Sequence, residues 1–138
     1  MQDIAIKNTR NLLLENKLSH KASLIRDSHE KFDKYIDEKI RGVIFNLGYL
    51  PRASHVITTQ GEITKKTLEK MLTRLEIGGL IVVIVYWGHA EGKVEKEIIL
   101  DFAFSLDQKY FEVLNYHFIN QKNNSPFLLA IEKLKEVE

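Results

Sequence analysis

The sequence predicts an α/β protein with a mostly parallel sheet, and three observations carry that reading. Apolar runs of strand length alternate along the chain with stretches of helical periodicity, the order that strand–helix–strand units with right-handed crossovers produce. The run "LIVVIVYW", Leu80 to Trp87, does not alternate between apolar and polar residues, as expected of a strand covered on both faces. Near the C-terminus, "YFEVLNYHFI" and "FLLAIEKL" are separated only by the polar loop "NQKNNSP", so the last two strands form an antiparallel hairpin.

The elements follow in order. Residues 3–17 hold helix formers with no Gly or Pro and read as a helix. "ASLIRD" follows as a short strand over 22–26. From Ser28 to Lys39 the chain is charged, with Phe32, Tyr35, Ile36 and Ile40 at spacings of three and four, which suggests a surface helix. Val43, Ile44 and Phe45 form the next strand. Residues 62–76 place Leu68, Met71, Leu72 and Leu75 on one face, and Gly78-Gly79 offers the left-handed cap that ends the helix. Val94, Ile98, Phe102 and Leu106 give residues 91–106 an i, i+4 stripe.

A chain of 138 residues is of a size that usually makes one domain, here 1–138. Its 44% hydrophobic and 28% charged content is that of a soluble globular protein, and no apolar run approaches the roughly 18 residues of a membrane helix. "MQDIAIKNTR" has no signal-peptide pattern, which places the chain in the cytoplasm. The absence of cysteine excludes disulfides, thiolate metal sites and thiol nucleophiles. A formal net charge of +1 gives no global attraction to a polyanion, so RNA binding would need a local patch.

Ligands of open α/β sheets bind beyond the C-terminal ends of the strands. Three strand ends carry polar or small residues: Asp27-Ser28-His29, Asn46-Leu47-Gly48-Tyr49 and Tyr86-Trp87-Gly88-His89. Asn46 is either an Asx-turn residue or an amide that holds a polar substrate group. Asp27 and Ser28 are either an N-cap or a ligand contact. His89 beside Gly88 is either solvated or a group that titrates near neutrality. The amide-rich "NQKNN" of residues 120–124 is either a hairpin loop or a clamp on a nucleotide. "HAEGKVEK" superficially resembles H-E-x-x-H, but the glutamate and second histidine are out of place. The five histidines make no metal site. No G-x-G-x-x-G or phosphate-binding loop occurs in the chain.

Taken together, "FNLGYLP", "TT", "GGLIVVIVYWGHAEGKVEK" and "FINQKNNSPFLLAIEK" closely resemble a bacterial family labelled rRNA methylases. The resemblance spans nearly the whole chain. It implies a Rossmann-like class I methyltransferase fold, S-adenosylmethionine (SAM) as cofactor, and N-methylation of the aminomethyl group of a modified wobble uridine in the tRNA anticodon. By the same resemblance, Asp27 and Ser28 lie near the adenine end of the cofactor, with Asn46 and Leu47 also against it. Asn46 and Tyr49 stand where related amine methyltransferases keep an Asn-Pro-Pro-Tyr-like motif that positions the target nitrogen, and His89 joins them as a candidate base. Arg52, Thr58, Thr59, Tyr86, His89, Asn120, Lys122 and Asn123 would surround the nucleoside and its backbone.

One departure from the family is large. Its members begin with a strand, a glycine-rich turn, a helix and a second strand ending in an acidic residue, whereas "QDIAIKNT" resembles the start of the helix that follows. The expectation is therefore an N-terminally truncated form lacking two central strands. With family positions kept, a gap would separate 22–26 from 42–46 and leave edges unpaired, so the chain must close the gap, form a homodimer, or be unstable alone. A non-catalytic remnant or RNA-binding module of the same family is the competing reading, and a purely structural α/β domain is a third.

Overall fold

The computed structural model describes residues 2–46, 57–88 and 90–137, with backbone alone for residues 2, 57–60 and 91. The chain forms two compact units, Met1–Tyr35 and Ile36–Glu138.

In the first unit, helix α1 (Gln2–Glu15) fills most of the span expected for it. It ends on Lys17, whose φ of 57° is left-handed. Leu18 N–H reaches Leu13 O at 2.8 Å and Lys17 N–H reaches Leu14 O at 3.0 Å, the paired bonds of a Schellman motif that satisfy the last helical carbonyls. Residues 22–26, expected as a strand, join no ladder. A strand needs a neighbour to take its backbone donors and acceptors, and the described residues of this unit contain no strand. Arg26 instead pairs with Asp3 of α1. The surface helix expected over 28–39 shrinks to a 3-10 turn, His29–Lys34. Its C-cap Tyr35 donates N–H to Phe32 O three residues back, 2.9 Å away, and Ile40 is claimed by a strand.

The second unit holds β1 (Ile40–Asn46), α2 (Ile57–Arg74), β2 (Leu75–Val85), α3 (Ala90–Ser105), β3 (Phe111–Tyr116) and β4 (Phe127–Lys133). The four strands make one sheet in the order β1-β2-β4-β3. β1 and β2 run parallel, while β4 is antiparallel to both β2 and β3, which gives the expected hairpin.

Register sorts the strand residues into two faces. Phe45, Val83 and Leu129 lie in one row, and Ile81 with Ile131 and Val85 with Phe127 share its face. All are buried, together with Leu68, Met71 and Leu72 of α2 and Ile99, Phe102 and Ala103 of α3. Each fully buried side chain of this kind contributes about 1.5–3 kcal/mol of transfer free energy. The opposite face carries Ile44, Leu80 and Leu114, and Ile44 is 77% exposed. β2 is thus fully covered on one side only, where the sequence led us to expect both.

α2 also ends sooner than its glycines suggest. The helix stops at Arg74 and β2 begins at once, while the left-handed Gly78 (φ 72°) serves a bulge. The pairing jumps from Ile40↔Leu75 to Gly42↔Leu80, so residues 76–79 loop out of the ladder. A Cβ on Gly79 would sit 2.8 Å from Glu76 O, a backbone atom. α2 and α3 approach closely at Gly61, where a Cβ would come within 2.6 Å of Ile98 Cδ1. Beside this contact, Thr64 Oγ1 donates to Glu95 Oε1 at 3.1 Å.

Candidate active site

The C-terminal end of β1 sets the site. Asn46, its last residue, is exposed and pairs in register with Ile84 of β2. Ile84 pairs with Leu128, and Leu128 with Tyr116. Asn46 and Tyr116 therefore end one row across the sheet and point to one face.

β2 leads into Tyr86, which is exposed, and Trp87, which is half-buried. The Trp87 indole N–H donates to Ser125 O at 2.8 Å, tying the hairpin loop to the end of β2. Lys96 of α3 holds its ammonium 4.1 Å from the Trp87 ring centroid, a cation–π contact. His117 meets Trp87 edge-on at 6.4 Å and Phe127 at 5.8 Å. These aromatics make a fixed base under residues 117–125.

The loop itself explains part of its own composition. Asn123 and Asn124 have φ of 66° and 54°, a region asparagine tolerates better than most residues, so turn geometry accounts for them. Asn120 and Lys122 are exposed and carry no such requirement.

Asp27 and Ser28 belong to the first unit. Asp27 Oδ1 accepts from Ser28 N–H at 2.7 Å and from Lys31 Nζ at 3.0 Å, and Oδ2 accepts from the Tyr35 hydroxyl at 2.7 Å. The Tyr35 bond first, then those from Lys31 and Ser28, hold the carboxyl at a pKa of about 2. The same contact raises the Tyr35 phenol. In the neighbouring turn, burial pushes the His29 imidazole down. An ionised carboxylate offers about four acceptor positions, and these three bonds leave room for one more donor, such as an exocyclic amino group. That fits the adenine end of a nucleoside cofactor. No glycine-rich turn of the kind that passes the other end of such a cofactor occurs in the sequence.

Asn46, Tyr86, Asn120, Lys122 and Asn123 thus gather at one end of the second unit. Leu47, Tyr49, Arg52 and His89 lie outside the described residues, as do the side chains of Thr58 and Thr59, whose backbone opens α2. Lys96, Tyr116, His117 and Phe118 were missed by sequence reasoning, which named Trp87 only as part of a strand end. The alternation of "YHF" across the end of β3 was the available signal. Among the described residues, no group of His, Cys, Asp or Glu is arranged to hold a metal ion.

The family described as "Putative rRNA methylase" matches residues 1–132. A curated relative, "tRNA (mnm(5)s(2)U34)-methyltransferase, chloroplastic" of Arabidopsis thaliana, is 31% identical over 126 residues, which is 88% of this chain and 46% of that protein. The chain thus spans about half the length of this relative. A solved "putative rRNA-methylase" of Clostridium thermocellum is 45% identical with a TM-score of 0.85, covering 95% of this chain and 70% of the other. SMU.1697c of Streptococcus mutans, a "putative methyltransferase" solved in complex with SAH, is 45% identical with a TM-score of 0.82 over 94% and 70% of the two chains. The rRNA methylase of Streptococcus thermophilus is 34% identical with a TM-score of 0.79 over 95% and 68%. The shared fold is the Rossmann-like methyltransferase sheet.

Proposed function

The chain belongs to the rRNA methylase family, and on that premise we propose that it acts as a SAM-dependent RNA methyltransferase. Its substrate on this reading is the aminomethyl group of a modified wobble uridine in the tRNA anticodon, as the name of the Arabidopsis relative suggests. The observation that carries the proposal is Asn46: an exposed carboxamide at the end of a parallel strand, where such sheets bind their ligands. The SAH in the Streptococcus mutans neighbour supports the choice of cofactor.

When bound, the cofactor supplies a methyl group on a sulfonium centre. The chain's part is to present a neutral amine to it. An alkylammonium has no free lone pair, so the site must favour the deprotonated amine. The Asn46 side-chain oxygen accepts an amine N–H and turns the nitrogen lone pair toward the donor. Such positioning is sensitive, since a misplacement of about 1 Å costs roughly a hundredfold.

The test is transfer of labelled methyl to tRNA bearing the aminomethyl uridine. Asn46→Ala is expected to lower kcat about a hundredfold with RNA affinity retained. Labelling of rRNA but not tRNA would refute the substrate, and an Asn46→Ala chain at wild-type kcat would refute the role. A second reading is a non-catalytic RNA-binding module of the same family, which would use the exposed amides and Lys122 of the hairpin loop without methyl transfer. Calorimetry with SAH separates the two, because only the enzyme requires saturable binding.

A further inference from the structure

Beyond Asn46 and the amide-rich loop, the same end of the sheet carries an aromatic pair with no role so far. Tyr116 and Phe118 are 57% and 53% exposed. Their ring centroids lie 5.4 Å apart at an interplanar angle of 79°. His117 between them turns the other way, onto Phe127 and Trp87, and the Trp87 N–H holds the following loop at Ser125. The two outward rings therefore stand on a fixed inner layer. Solvent-exposed aromatics held side by side on a rigid support are surface that water solvates poorly.

We infer, resting on the RNA-modifying reading above, that Tyr116 and Phe118 form a stacking shelf for an unpaired RNA base near the nucleotide held at Asn46. Three features select a single-stranded RNA loop as the occupant. Asn46, Ile84, Leu128 and Tyr116 form one register row, and three strand spacings of about 4.8 Å put the shelf roughly 14 Å from Asn46. That is the reach of a nearby base in an unstacked loop, on the same face of the sheet. Residues 113–131 contain no Asp or Glu but include Lys122 and side-chain amides, so the segment that carries the shelf brings no carboxylate to repel phosphate. Exposed aromatics flanked by amides and a cation are how proteins take splayed-out RNA bases, whose faces stack whatever the sequence.

The experiment titrates an anticodon stem-loop RNA, with 2-aminopurine replacing a loop base beside the wobble position, into the full chain. Binding is read by anisotropy and stacking by quenching of the 2-aminopurine. Tyr116→Leu and Phe118→Leu keep apolar bulk but remove the π face. Each is expected to weaken binding about 5- to 100-fold and to lose the quenching, while Tyr116→Phe restores both. Circular dichroism melts within a few degrees of wild type verify that the variants are folded. Affinities within twofold of wild type with quenching intact overturn the shelf. So does loss of self-association in the Leu variants with RNA binding unchanged, which would mark the pair as a contact between protein copies. A wild-type chain that binds no loop RNA overturns it as well. A chain that binds and stacks the RNA but transfers no methyl group leaves the shelf standing and removes only the proposed chemistry.

Discussion

Lys133 occupies an inward position of β4, in line with Phe127, Leu129 and Ile131, and is 1% exposed. Its ammonium donates to Leu75 O at 3.0 Å, directly after α2, and to Glu136 Oε2 at 2.6 Å. A cation at the C-terminal end of a helix is also favoured by the helix dipole. Two substitutions separate what the stem does from what the head does. Lys133→Met keeps most of the buried stem and deletes the bonds to Leu75 O and to the half-exposed Glu136 carboxylate, a loss of about 1–3 kcal/mol. Relief from burying the charge pulls that value toward the lower end. Lys133→Ala also removes the lysine stem beyond Cβ, three methylenes that Met replaces with groups of similar size, at about 0.8 kcal/mol each, so its additional cost is about 2.4 kcal/mol. Urea unfolding followed by circular dichroism reads both midpoints. A Lys133→Ala chain within about 1 kcal/mol of wild type would refute the packing argument, and equal losses in the two variants would show that the stem contributes nothing.

Two further predictions test the first unit and the bulge. Because the Tyr35 hydroxyl is the largest cause of the low Asp27 pKa of about 2, Tyr35→Phe should move the Asp27 midpoint up toward 3.8 in a carbon-13 carboxyl titration; an unmoved midpoint would discard the bond. The linkage has a definite sign. A depressed carboxyl pKa contributes stability above its unfolded value of 3.8, and that stability fades as pH falls through about 2. The raised Tyr35 phenol contributes below its ordinary value of 10.0 and loses that contribution as pH rises through the folded value. In the bulge, Gly78→Ala should cost about 1–2 kcal/mol through its left-handed φ. Gly79→Ala should cost more, because the atom in the way is the fixed carbonyl of Glu76; thermal midpoints in the opposite order would contradict this.

The sequence by itself determined the elements whose signals are local. Leu68, Met71 and Leu72 face inward from α2, Phe102 from α3, and the polar loop between the last two apolar runs closes an antiparallel hairpin. Helical periodicity and turn chemistry are written in neighbouring residues, so they survive without knowledge of the rest. The strand-end position of Asn46 was legible for the same reason, since it follows an apolar run and Gly48 comes two residues later.

Tertiary structure decided whatever depends on a partner far along the chain. Residues 22–26 have strand composition, but the described residues of their own unit contain no strand to pair with, and a ladder needs two sides. Gly78 reads equally as a helix cap or a bulge, and only the jump in pairing between Ile40 and Gly42 chooses the bulge. Lys133 looks like a surface charge until β4 pairs with β2 and turns it inward to the end of α2. The row from Asn46 to Tyr116 joins residues 70 positions apart in sequence, and their common face is fixed only by long-range register. A shift of one residue in any of those pairings would send Tyr116 to the other face, so only the folded sheet could reveal the shelf.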